Sequence, residues 1–414
     1  MALPAEISVS FDFSSGATFG YPFTIGDAKY GVLGTGTLGS TAVPVPTVDL
    51  TSQVRNITIN RGRDIQADTY IAGTAVVRII DPDSYFNPQN TASPYYGYLV
   101  PLRKVRIAAT TATTQKFLFS GYTTEYRYTY DQAEQMGYVD IYVADAFRLF
   151  NLAQVTTVTD SGAGQKTGTR IGKILDQVGF PSNMRTIATG QSSCIADPGT
   201  LRTSLAAVKN AEFSEQGAFY INPSGTAVFK DRNTVAASIS GTPIEFNQTG
   251  GIPYRNLVFA FDDKLIINSA GMTRVGGTQQ VSENAASIAK YFPHQYSAQD
   301  LVIDTDANAL NIAATYVATR AETTIRIDQM LVDLLDPAVP TDTMIGLDYF
   351  DNLRISNIQP DGSTITKTLQ VQGLSWNISP NSMQVTVTTL EPIVDGFIIG
   401  STERGIIGVS AMTY

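Results

Sequence analysis

The chain has 414 residues, is 43% hydrophobic and only 16% charged, and carries a net charge of −9. That is material for two to four domains with sizeable cores; it excludes a disordered chain and, with no basic run, an electrostatic binder of nucleic acid. One cysteine (Cys194) and one histidine (His294) exclude an internal disulfide framework and make a His-based metal site or triad untenable.

Residues 1–53 form an N-terminal arm. Its first residues lack the basic and apolar regions of a signal peptide, so the chain reads as made and folded in a cytoplasm. Ile7, Val9 and Phe11 alternate as a strand, and Gly31 to Pro44 is a Gly/Thr-rich connection. The arm either packs on a neighbour or is a leading hairpin. Surface charge is scarce, with Thr, Ser, Asn, Gln and Tyr in its place. That fits either a surface covered by other subunits or a Thr-rich β protein.

Residues 54–153 read as one β domain. Ile57 and Ile59 alternate with polar residues, as do Ala75, Val77 and Ile79, the period of half-buried strands. Asp81-Pro82-Asp83 and Asn87-Pro88 are turn chemistry. Val105 and Ile107 begin another strand. The Tyr122–Tyr130 run and Val139, Ile141 and Val143 make a long hairpin with one buried face, suited to a small barrel or sandwich.

Residues 154–235 change to α/β. Thr169 is the expected cap of a helix with Ile171, Ile174, Leu175 and Val178 on one face, stopped by Gly179 and Pro181. A second helix is expected to begin at Asp197–Thr200, followed by a hairpin about Asn222–Gly225. Residues 236–395 read as a second β domain with inserted helices, one of them capped by Asp306. Leu265–Asn268 is expected as a strand, and Leu369–Ile378 pairs with Met383–Leu390 in a last hairpin. The order strand, glycine, return hairpin occurs twice, with Val105–Ile107 and Gly121 first and Leu353–Ile355 and Gly373 second. Residues 396–414, with Phe397, Ile398, Ile399, Ile406 and Ile407, are too apolar for a free end. They read as an interaction tail or a last edge strand. No stretch approaches the roughly 18 apolar residues of a membrane helix.

Several segments together resemble the minor tail proteins and baseplate (tail-tip) hub proteins of long-tailed bacteriophages and gene transfer agents. Arg61-Gly62-Arg63, Asp81 to Asn90, Ser93-Pro94-Tyr95 and Val105-Arg106-Ile107 fill that family's core pattern in order. Glu215, Gly217, Gly225, Phe229 and Arg232 match a second pattern, with Ala227 where Val or Leu is usual. Ser287 to Tyr291 matches a third, but Phe292-Pro293 replaces its Gly. Trp376 lies in a fourth, with Met383 in place of a second aromatic. The resemblance spans roughly residues 45–395.

It implies two tail-tube-like β-barrels with a small α/β insert between them, in a mainly β chain. It also implies a structural virion protein that closes the distal end of the tail tube. The implied partners are other copies of itself in a homotrimer, the tube or distal tail protein, tape measure protein and fibre or receptor-binding proteins. DNA would pass the lumen without specific binding. The alternative is a tail-associated glycan-binding or cell-wall hydrolase protein.

The residues give that alternative little chemistry. Asp81/Asp83 and Asp262/Asp263 have the spacing of carboxylate pairs, but Asp at strand ends is usually turn chemistry. Gly162–Thr167 resembles a phosphate loop, yet Gln165 stands where its Gly before Lys is needed. Tyr95-Tyr96-Gly97-Tyr98 and the Tyr122–Tyr130 run suit stacking on sugars or, as readily, packing in strands. No residue is assigned a catalytic, cofactor-binding or metal-ligating role, and the chain reads as a non-enzyme.

Overall fold

The computed structural model describes residues 3–19, 47–64, 68–132, 136–323 and 326–390. The Gly/Thr-rich connection 31–44 and the C-terminal stretch 396–414 lie outside the described residues. In the first part of the chain the strands are β1 (Glu6–Asp12), β2 (Thr47–Asp49), β3 (Val54–Asp64), β4 (Thr69–Tyr70), β5 (Thr74–Ile80), β6 (Lys104–Thr110), β7 (Gln115–Asp131) and β8 (Met136–Ala144). Alternation drives them: Ile57, Ile59, Ala75, Val77, Ile79, Val139, Ile141 and Val143 all point into one core and are buried.

Helix α1 (Phe147–Leu152) and β9 (Gln154–Val155) lead to α2 (Thr167–Gln177), β10 (Arg185–Ile187), β11 (Arg202–Thr203), α3 (Ser204–Glu215), β12 (Ala218–Ile221), β13 (Ala227–Lys230) and α4 (Arg232–Ala237). Strands β10, β13 and β12 make a small sheet. Helix α2 starts at Thr167 rather than after Thr169, with Lys166 at its N-cap and no side-chain cap. The second helix starts at Ser204, not at Asp197–Thr200. Thr203 is its cap, accepting the Ala206 N–H at 3.1 Å. Leu201 lies outside it and is 68% exposed.

The remaining elements are β14 (Ile244–Asn247), β15 (Arg255–Ala260), β16 (Ser269–Arg274), β17 (Gln280–Glu283), α5 (Ala285–Tyr291), β18 (Gln295–Leu301), α6 (Asp306–Arg320), β19 (Arg326–Asp333), α7 (Thr341–Ile345), β20 (Asn352–Ile358), β21 (Thr364–Ser379) and β22 (Ser382–Leu390). Leu265–Asn268 is a turn leading into β16 rather than a strand. Strands β17, β16 and β18 form a separate three-stranded sheet that shares a second core with α6.

Strand dominates, and fourteen strands join in one sheet. Its main path runs β15-β19-β22-β21-β3-β5-β8-β7-β6-β1-β2. The expected pair of closed barrels is not found: among the described residues the path ends at β15 and β2 without closing. The reason lies at its middle. β3 pairs with β5 of its own half along one edge, and its other edge is taken by β21, from Gly62 opposite Gly373 to Ile57 opposite Ile378.

The two halves of the sheet repeat one plan. β6-β7-β8 corresponds to β20-β21-β22. Val105 faces Gly121 as Leu353 faces Leu369, and Ala144 faces Tyr122 as Leu390 faces Gln370. Each long strand then slips register at the same place, between Thr123 and Glu125 and between Val371 and Gly373. The glycines that mark the repeat in sequence are therefore not equivalent. Gly121 matches Leu369, and Gly373 matches Glu125. β5 and β3 correspond in the same way to β19 and β15.

Candidate functional site

The end of β3 carries Arg61-Gly62-Arg63, and alternation would send the two arginines to one face. Both are buried at the seam between the halves. The Arg61 side chain is 4% exposed. It donates to Asp348 Oδ1 at 3.0 Å and to the Ile221 carbonyl at 3.0 Å, and its guanidinium lies 4.6 Å from the centre of the Tyr349 ring. One side chain from the first half thus holds the α/β region and the second half together. Burial alone would depress the guanidinium; Asp348, Tyr349 and Asp145 outweigh that and raise its pKa.

Arg63 pairs with Asp68 and donates to Gln372 Oε1 at 3.4 Å. Asp68 also accepts the Tyr316 hydroxyl at 2.7 Å and Arg320 Nη2 at 2.8 Å, both from α6. Its carboxyl is desolvated, which would raise the pKa, but the two guanidinium groups bring it below the ordinary value. Gly62 and Gly373 face each other at the seam. A Cβ on Gly62 would stand 3.6 Å from Gly373 Cα, and one on Gly373 would stand 3.4 Å from Gly62 Cα. Neighbouring strand backbones meet with no side chain between them.

Asp145 ends β8 beside this network. It accepts the N–H groups of Gly73 at 2.6 Å and Phe147 at 2.9 Å. Burial pushes its pKa up to about 7 against those bonds and the nearby Arg61. Tyr70, Tyr220 and Tyr349, from three chain regions, pack with ring centroids 4.7–5.4 Å apart. Every strong charge at the seam is neutralised by a partner or held by backbone donors. The arrangement clamps chain regions together and presents no nucleophile beside a base.

The residues singled out in sequence stay apart from it. Asp81 spends its carboxylate on the Tyr85 and Phe86 N–H groups, both at 2.8 Å. Asp262 accepts the Lys264 N–H at 3.1 Å, a local turn. Helix α6 is capped by Thr305, not Asp306, because Thr305 Oγ1 takes the Asn308 N–H while Asp306 binds Arg274 at 2.6 Å. His294 lies within 3.1 Å of the Tyr291 carbonyl. Cys194 is buried, which pushes its thiol up to about 11 and keeps it protonated.

In the 162–167 loop the Ser161 and Gly162 carbonyls turn inward onto Arg170, whereas a phosphate cradle needs inward N–H groups. Tyr122 and Tyr128 are engaged by the Ala17 carbonyl and Ser84; Tyr96 and Tyr130 are exposed. Among the described residues no group of three or more His, Cys, Asp or Glu could hold a metal ion. No helix among them is long and apolar enough to cross a membrane. Sequence reasoning missed the partners of the two arginines, since Arg61 and Asp348 are 287 positions apart and only a local signal marks either.

No family model matches the chain, and no curated protein matches it by sequence. Solved structures do match. The chain is similar to the tail protein from Neisseria meningitidis MC58, with a TM-score of 0.55 and 10% identity over 94% of this chain and 96% of that one. It is also similar to the 43 kDa tail protein of prophage MuSo2 from Shewanella oneidensis, with a TM-score of 0.53 and 8% identity over 84% and 94%. The chain shares the fold of these tail proteins across nearly their whole length.

Proposed function

We propose that this chain, which has the fold of tail proteins, is a structural protein of a phage tail: the hub at the tail tip, assembled as a homotrimeric ring. It closes the distal end of the tube. One side meets the tube or distal tail protein, and the other meets fibre or receptor-binding proteins. Tape measure protein, and then DNA, occupies or passes the lumen. The work is done by interface geometry, without bond-making.

One observation carries this reading: the joint between the two halves has a second copy, at the edges of β15 and β7, that no described strand fills. Inside the chain, β3 of the first half pairs with β21 of the second. The equivalent strands are β15 and β7. β15 ends the sheet, and beyond Thr123 no described strand pairs the edge of β7 opposite β8. Repeating the internal joint between chains lays β15 of one copy on β7 of the next. Such a head-to-tail contact generates a ring when the rotation closes. Three copies contribute six half-sheets, so a three-fold hub can meet a six-fold tube. The negative net charge suits a lumen through which phosphate slides without sticking.

Gold-labelled antibody against the chain, viewed on intact particles by electron microscopy, tests the address. Label confined to the tail tip is expected. Label along the tail, on the capsid, or absent from particles would overturn the hub reading.

A further inference from the structure

Next to the Arg61 seam lies a cavity of about 440 Å³, within the size range of specific ligand sites. Its wall is built from four regions: Lys116 at the start of β7, Lys230 at the end of β13, the segment from Ser238 to Ile244, and residues between Asp342 and Asn352. The charged groups in that wall are not equally occupied. Asp342 takes the hydroxyls of Thr111 and Thr113. Asp351 takes the Asp348 N–H at 2.9 Å. Asn352 spends its amide N–H groups on the Ser238 and Gly241 carbonyls, at 2.8 and 3.1 Å. Asp348, which is not part of the wall, is held by Arg61.

The two ammonium groups have no such acceptor. Lys230 is half-buried with its Nζ 4.3 Å from the centre of the Phe350 ring, and it makes no hydrogen bond or ion pair to a described residue. Lys116, exposed at the rim, makes none either. An ammonium with unspent donors is costly to desolvate unless an anion meets it. Burial lowers the Lys230 pKa, and the fields of Asp348 and Asp351 offset this only in part, neither pairing with it directly.

We propose that this cavity binds a carboxylate side chain of an acidic segment from a partner protein, with Lys230 and Lys116 as its donors. The ligand's charge follows from the wall. Two carboxylates already stand there, which disfavours a dianionic phosphate, and no arginine fork is present to receive one. Tyr349 and Phe350 supply apolar wall for the methylenes of a peptide side chain. The inference goes beyond the tail reading and stands or falls separately from it.

The test titrates the full chain with N-acetyl-Glu-Asp-amide and its neutral counterpart N-acetyl-Gln-Asn-amide, followed by saturation-transfer NMR of the peptide protons. The acidic peptide should bind and the neutral one should not. Lys230→Met should weaken binding about tenfold or more, the loss of one charge-assisted hydrogen bond. Lys116→Met, on an exposed side chain, should weaken it less while leaving the melting temperature unchanged, and it decides the matter if Lys230→Met fails to fold. Equal binding of both peptides, or full affinity in Lys116→Met together with any folded Lys230→Met, overturns the proposal. So does inorganic phosphate that outcompetes the acidic peptide.

Discussion

The two halves of the large sheet share a strand plan but differ in how they fill it. In the first half β3 pairs with β5 through one shift of register, and its outer edge is covered by β21. In the second half β15 meets β19 with two closely spaced irregularities, and among the described residues no strand covers its outer edge. Between β15 and β19 the chain inserts the β16–β18 and α5–α6 unit, which the first half lacks. The comparison separates what the plan needs from what each half adds. The hairpin β7-β8 or β21-β22 is the invariant part. The edge of β3 or β15 is where a half meets its neighbour, and Asp68 is the tie that anchors the inserted unit to the first half.

The harshest way to break the comparison is to cut that tie. Asp68→Ala leaves Arg63 and Arg320 buried without their shared carboxylate. The expected cost is about 3–5 kcal/mol, read by urea unfolding. A loss under ~1 kcal/mol would mean the inserted unit is held by other contacts. The next test exploits the mismatched glycine. Gly121 occupies the place where the second half has Leu369, yet a Cβ on Gly121 would lie 2.6 Å from the Ala144 carbonyl oxygen. Gly121→Ala should therefore cost about 1–3 kcal/mol by overpacking. A neutral result would show that the first half can accept its partner's side chain after all.

Asp145 makes the stability of the seam depend on pH. Its folded pKa is raised to about 7 from 3.8, so the folded state holds a proton that the unfolded chain has already released. Stability from this group is complete below pH ~4 and is lost as pH rises through about 7. By the register that matches Ala144 to Leu390 the corresponding residue is Glu391, which lies outside the described residues, so the effect is expected of Asp145 by itself. Asp145→Asn should flatten the slope of stability against pH between those limits. An unchanged slope would assign it to other groups.

The smallest effect is expected at Phe292. It stands where the resembling pattern has Gly, and it keeps Gly's backbone: φ is +65° and ψ 170°, a region that strains other residues. Buried Asn268 holds the turn, donating to the Phe292 carbonyl at 2.8 Å and accepting the His294 N–H at 2.7 Å. The ring is 82% exposed, so little burial is lost with it. Phe292→Gly should raise stability by ~1 kcal/mol in thermal unfolding. Destabilisation would show that the ring packs on something.

The strands that alternate were legible because period-two burial is a local signal. Ile57 to Ile59, Ala75 to Ile79 and Val139 to Val143 sit where alternation put them. Helix starts were read less well. Asp197–Thr200 has stronger turn chemistry than the true cap Thr203, and Thr169 looked like a cap although Lys166 precedes the helix. The Arg61-Gly62-Arg63 string was visible, but its purpose was not. Asp348 and Gln372 are distant in sequence, and although Asp68 is only five residues from Arg63, nothing near it marks a buried ion pair that also takes Arg320. Closure of the barrels was not legible for a related reason. A strand's sequence shows that it has an edge but not whose strand will cover it.

The most direct test of the account is a cysteine pair at the proposed joint. In the internal joint Asn377 faces Thr58; the equivalent residues are Thr129 on β7 and Val258 on β15. Cys194 is buried and will not compete. Thr129→Cys with Val258→Cys, oxidised and run on a non-reducing gel, should give a ladder that ends at a covalent trimer, with neither single variant doing so. A chain that assembles but forms no intermolecular disulfide, or a ladder that runs past three without closing, would contradict it.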